Sequence, residues 1–101
     1  MPTALYSAPL HLQLLPSGRR LDFPVAPGSY AHVYRRCHNQ SWQCVARNAD
    51  SPFLDQAALP ADAAPEYVIR YHDASGSMQG NTPVVQAHPV GMPAGPSWIN
   101  L

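Results

Sequence analysis

Two cysteines, a histidine and a tryptophan fall within RRCHNQSWQC, residues 35–44. Residues of these types can hold a metal, run a thiol–disulfide cycle, form a structural bridge, or only shape a turn. Zinc takes about four ligands. Cys37, His38 and Cys44 offer at most three, and the C-x6-C spacing is not that of a zinc knuckle. A catalytic redox pair reads C-x-x-C ahead of a helix, which this segment does not. Neither a metal nor a cofactor is expected. Two readings remain open. If the segment is a hairpin turning near Asn39–Ser41, Cys37 and Cys44 lie on adjacent strands, and a disulfide can form where their β-carbons approach to about 4 Å. The alternative is a pair of half-buried thiols, favoured by the lack of a signal-peptide pattern. Trp42 is expected to lie across the sheet face and cap the arginine stems.

The remaining reactive residue types are scattered. His11, His32 and His88 fall in alternating segments, opposite the apolar residues, and are expected to face solvent. His72-Asp73 opens a loop with Ser75, Ser77 and Asn81, but a hairpin loop does not preorganise a triad. Glu66 is the sole glutamate, and the five aspartates form no evident carboxylate pair. GSMQGN has neither the lysine nor the following helix of a phosphate loop. The chain is expected not to be an enzyme.

Composition narrows the function further. The 101 residues make one domain. Charged residues are 12% of the chain, about half the usual share. Six arginines balance six acids, lysine is absent, and the net charge is zero. Nothing here forms the basic footprint of a nucleic-acid binder. No apolar run is long enough to span a membrane as a helix. The expected compartment is a host cytoplasm during assembly, then a particle assembled there, with an extracellular surface as the alternative.

The elements that must position these residues read as strands. Twelve prolines argue against long helices. Between them, Leu10/Leu12/Leu14, Leu21/Phe23/Val25, Ala31/Val33 and Tyr67/Ile69/Tyr71 each recur with a period of two, and TPVVQAHPV is a β-branched run. PSG at 16–18 would close a hairpin, and ASGSMQGN at 74–81 a long hairpin loop. The expectation is an all-β antiparallel sandwich of about seven strands in Greek-key order. Its core would be Leu10, Leu12, Leu14, Leu21, Phe23, Val33, Val45, Leu59, Tyr67, Ile69, Val84 and Val85.

The order of these segments resembles a fibronectin type III domain. Val33, Tyr34, Arg35 and Arg36, then Trp42, Val45 and Ala46, Phe53 and Asp55, Leu59-Pro60, Glu66-Tyr67 with Ile69-Arg70, and Val84, Val85 and Ala87 fall on the family's pattern. The resemblance covers roughly residues 9–90. It implies an immunoglobulin-like sandwich and a loop at 72–82 of the kind the family uses for recognition. Two positions depart from the family. Phe23 stands where a buried tryptophan is usual, and Pro65 occupies the tyrosine-corner position, with Tyr67 two residues later.

The chain divides into an N-terminal arm (1–8), the sandwich (9–90) and a Gly/Pro-rich C-terminal arm (91–101). Leu5 and Tyr6 in one arm, and Trp98, Ile99 and Leu101 in the other, are unusual in solvated tails. They are expected to dock on other protein subunits. The leading expectation is a structural protein, present in multiple copies, that decorates or cements a larger particle. By analogy with where such sandwiches occur, this would be a bacteriophage capsid or tail. The alternative is a recognition module for carbohydrate or a cell surface, using His72, Asp73, Ser75 and Asn81 with Trp42 or nearby tyrosines.

Overall fold

The structure, a computed structural model, describes residues 6–38, 40–60 and 62–87, with side chains from Ala8 onward. Leu5, His88, Trp98, Ile99, Leu101 and the whole C-terminal arm lie outside the described residues. Strand is the only regular structure described, in nine segments over two sheets. The smaller sheet runs β2 (His11–Leu15), β3 (Gly18–Asp22), β6 (Phe53–Asp55), all antiparallel. The larger sheet runs β1 (Tyr6–Ser7), β8 (Met78–Asn81), β7 (Glu66–His72), β4 (Tyr30–Arg36), β5 (Gln43–Ala46). A further short segment, β9 (Val85–Gln86), pairs with the start of β7. All pairs are antiparallel except β1 with β8.

The two sheets share one core. Leu21 and Phe23 from the β3 side meet Ala31 and Val33 of β4 and Tyr67, Ile69 and Tyr71 of β7. Register explains the set. Val33 stands opposite Ile69, Ala31 opposite Tyr71 and Arg35 opposite Tyr67, so the period of two sends all of them to the inner face. Leu12, Val45, Phe53 and Val85 pack against this cluster from its rim. The result is an all-β, two-sheet architecture compatible with a β-sandwich.

The β2–β3 hairpin turns at Pro16–Ser17, where PSG had placed it, and Leu15 pairs with Gly18. Gly18 has φ +152°, and a Cβ there would run into the Asp55 backbone carbonyl. Only glycine lets β6 pass so close to the hairpin.

Four expectations need correction. Leu59 is only half-buried and stands outside the core cluster, because it follows the end of β6 in irregular chain. Leu14 is 37% exposed, because at the hairpin end of the smaller sheet it pairs with Arg19 and falls beyond the core. Val84 is 50% exposed, because Pro83 cannot donate to the ladder and splits the run into β8 and β9. The break resets the alternation, so fully buried Thr82 and rim-packed Val85 take the inward places. Thr82 Oγ1 accepts the Ile69 N–H at 3.0 Å. Finally, 74–81 is not all loop, since Met78–Asn81 form β8 and pair with β7.

Candidate functional site

A charged joint lies between the sheets. Asp55, at the end of β6, is 5% exposed. Arg35 of β4 donates to both its carboxylate oxygens, at 2.9 and 3.1 Å. Tyr67 of β7 donates its hydroxyl to Asp55 Oδ2, and the Ala57 amide donates to Oδ1 at 3.2 Å. Arg19 of β3 donates to the Tyr67 hydroxyl and to the Ala57 carbonyl, each at 2.7 Å, and stands 3.5 Å from Asp55 Oδ2. Burial alone would raise the Asp55 pKa. The Tyr67, Arg35 and Ala57 hydrogen bonds outweigh it and hold the carboxyl below its usual range. Burial, reinforced by the Asp55 charge, pushes the Tyr67 phenol well above its usual range. A carboxylate so thoroughly bonded and so firmly ionised joins four strands rather than moving protons. Sequence reading placed Asp55 on a family pattern but had no signal for this cluster, whose members are far apart along the chain.

The outer face of the larger sheet carries the other concentration of chemistry. Tyr30, His32, Tyr34 and Arg36 of β4 alternate with its core residues, and β7 sets Glu66, Val68, Arg70 and His72 directly across from them. The Arg36 guanidinium lies 4.4 Å from the Trp42 ring centroid and 2.7 Å from Glu66. Trp42 therefore caps an arginine, as expected from its place in the hairpin. The Arg70 guanidinium lies 5.6 Å from the Tyr34 ring centroid. No ion pair among the described residues involves Arg70. Tyr34, Trp42, Val68, Arg70, Asn81 and Val84 surround a concavity of about 260 Å³.

At the other end of this face, His32 and His72 meet with ring centroids 4.7 Å apart. Asn48, held at φ 49°, turns its backbone N–H onto His32 Nδ1 at 3.0 Å. That bond needs Nδ1 unprotonated, which selects the neutral ring with its proton on Nε2. Desolvation, followed by the nearness of His72 and Arg47, lowers the His32 pKa. The sign follows directly. A histidine whose folded pKa is depressed adds stability above its unfolded value, near 6.5, and that stability is lost as pH falls through the folded value. The melting temperature is therefore expected to drop between pH 7.5 and 5. His32→Gln, which keeps an acceptor for Asn48, should flatten that drop; a parallel drop in the variant would place the titration elsewhere. His72 Nδ1 is buried without a hydrogen-bond partner.

The residues proposed for loop recognition do not converge. Asp73 accepts from the Ser75 amide and hydroxyl, at 2.9 and 2.6 Å, and from the Ser77 amide at 3.0 Å, so it serves the loop's own closure. His72 and Asp73 line a cavity of about 500 Å³ with Tyr30, Tyr34 and Arg47. Asn81 instead lies in β8 opposite Arg70 and joins the Trp42 concavity. Tyr6 pairs as backbone with Gly80. His11 is exposed, whereas His32 is half-buried.

Cys37 and Cys44 are half-buried free thiols. They are not opposite each other: the register sets Cys44 against Tyr34, and Cys37 lies beyond the end of β4. Cys44 Sγ lies 3.6 Å from the Ala46 carbonyl. Comparison of the chain with protein-family models, with curated proteins and with solved structures gives no match.

Proposed function

We propose that this chain is a non-enzymatic recognition module on a fibronectin type III-like sandwich, and that it binds through the outer face of the larger sheet. The chain order supports the fibronectin-like reading. After β1 on the edge of the larger sheet, it runs two strands in the smaller sheet, two in the larger, one back in the smaller, then the rest in the larger, so that β3 meets β6 and β4 meets β7. These non-consecutive neighbours are what a Greek key requires. The observation that carries the binding reading is the grouping of Trp42, Tyr34 and Arg70 around one concavity, with Arg36 stacked on the Trp42 ring beside it. Tryptophan, tyrosine and arginine are prominent in binding hot spots, and Tyr34 and Arg70 stand on paired strands, which hold them more rigidly than a loop does, with Trp42 at the entry to β5.

The test is a glycan array and a cell-surface binding assay with three proteins. The native chain and Leu54→Ala, altered on the smaller sheet, are expected to bind alike, and Trp42→Ala to lose binding. Binding by Trp42→Ala at the native level would rule out this face.

The second reading is a subunit that decorates or cements a larger particle such as a phage capsid or tail. Its support is the neutral, lysine-free, charge-poor composition, which suits a packed subunit better than a free one. Its docking residues, Leu5, Trp98, Ile99 and Leu101, lie outside the described residues. Co-sedimentation of the full chain with a candidate particle, compared with a chain lacking residues 95–101, tests it. Equal attachment by both would remove the arm from the account.

A further inference from the structure

We propose that the concavity between Trp42 and Val84 is a subsite for an acidic sugar, a single pyranose ring carrying a carboxylate that pairs with Arg70. The inference rests on the recognition reading above and names the ligand class of the same face.

Size comes first. At about 260 Å³ the concavity is smaller than the roughly 300–1,000 Å³ of sites for drug-sized molecules, so it accommodates one ring rather than an extended ligand. Its lining comes next. Tyr34 and Trp42 supply aromatic surface, and Val68 and Val84 supply apolar surface. Such a lining suits the carbon-bound hydrogens of a sugar ring, which pack on aromatic surface as other apolar groups do. Val84, turned outward by the break at Pro83, is half exposed, which leaves its surface available to a ligand. Two polar residues converge on the same space. Asn81 Nδ2 donates to the Thr82 carbonyl at 2.9 Å, leaving its Oδ1 to accept from a sugar hydroxyl. Arg70 offers the charge.

Charge complementarity selects the acid. Arg36 is neutralised by Glu66 at 2.7 Å. Asp73 is committed to its own loop. His32, across from Arg70 in the register, is held neutral. Arg70 is exposed, rests on the Tyr34 ring and takes part in no ion pair among the described residues. It is an unneutralised guanidinium beside a ring-sized hollow, and carboxylates are what a guanidinium fork binds best. An acidic peptide would satisfy the charge but not the site. Peptides commonly add to a sheet edge or fill an elongated groove. The floor of this hollow, Tyr34, Val68 and Arg70, comes from the central strands β4 and β7, both paired on each side, and so offers no free sheet edge.

The experiment titrates isotope-labelled full-length protein with glucuronic acid, with glucose, and with an acetylated glutamate tripeptide. The readouts are the Trp42 indole N–H and the Arg70 Nε–H resonances. Glucuronic acid is expected to move both signals, with glucose about tenfold weaker, because one charge-assisted hydrogen-bonded pair is lost. Arg70→Gln should remove the preference, so that glucuronic acid binds no better than glucose in that variant. Trp42→Ala should abolish both, with an otherwise native amide spectrum. Equal binding of the two sugars, or an unchanged affinity in Arg70→Gln, overturns the acidic-sugar assignment and leaves the face itself as a binding site. Tighter binding of the peptide than of glucuronic acid replaces the sugar by a protein ligand. No shift with any of the three at tens of millimolar rejects the subsite, and the recognition reading then stands or falls with the array experiment.

Discussion

Asp55→Ala is expected to cost about 3–5 kcal/mol, the typical loss when one partner of a buried ion pair is removed. For a domain of this length that lowers the melting temperature by about 12 °C or more. The reason is what the substitution leaves behind. Arg35 and Arg19 have side chains only 12% and 16% exposed, and both would keep their charge without a counter-ion. The Tyr67 hydroxyl would lose its acceptor inside the core. The surface pair Arg20–Asp22, with both side chains about 40% exposed, is the control. Asp22→Ala should change stability by about 1 kcal/mol or less. Thermal melts followed by circular dichroism decide the matter. A midpoint for Asp55→Ala within a few degrees of the native value would mean that the joint does not hold the sheets together. The same group governs acid unfolding. Its folded pKa lies below the unfolded one, so its contribution is present above about pH 4, the ordinary carboxylate range, and is lost as pH falls through the folded value. Asp55→Ala should lack that step.

Tyr71→Ala is expected to cost about 3–5 kcal/mol, the usual loss for deleting a buried aromatic side chain. Tyr71→Phe should cost only about 1 kcal/mol. Tyr71 is fully buried, and its hydroxyl donates to the Pro24 carbonyl at 2.7 Å. It therefore ties β7 to the chain leaving β3 while filling the core between them. The two substitutions separate the roles: the first leaves a cavity and the second removes one hydrogen bond. Urea titration of both variants gives the comparison. Similar losses would mean that the hydroxyl, not the ring, carries the contribution. Sequence reading alone would make Tyr71 a test of recognition, together with Asn81. Buried as it is, its loss would unfold the domain and mimic a loss of binding, so Trp42 and Arg70 are the informative positions.

What could be read from the sequence followed the period of two. Leu21, Val33, Tyr67 and Ile69 are buried, because each sits on a strand long enough for alternation to show and a sheet face uniform enough to honour it, and Phe23, just past the end of β3, keeps the same phase. The reading failed where the period was interrupted. Val84 and Val85 both read as core, but the break at Pro83 turns Val84 outward and leaves only Val85 against the core, and a rule that counts residues cannot see a missing backbone donor. Cys37 and Cys44 illustrate a related limit. Their hairpin was legible, but its register, which sets Cys44 against Tyr34, was not. The joint at Asp55 was invisible for another reason. Its side chains come from β3, β4, β6 and β7, and only the pairing of β3 with β6 and of β4 with β7 brings them together. The outer face was half legible. Trp42 and Asn81 were each singled out, but their shared cavity depends on β8, where sequence had placed a loop.

The parallel pairing of β1 with β8 has a bearing on solubility. An open sheet edge presents a row of unused backbone donors and acceptors to any extended chain that drifts past. Here two register pairs, Tyr6 with Gly80 and Ser7 with Asn81, and the Ala8 amide on the Asn81 carbonyl at 3.3 Å, occupy that row. With zero net charge the molecules have little electrostatic repulsion to keep them apart. Segment 6–8 is thus a guard against strand-by-strand polymerisation, and a fusion that tugs it free would turn a self-contained domain into one with an adhesive side.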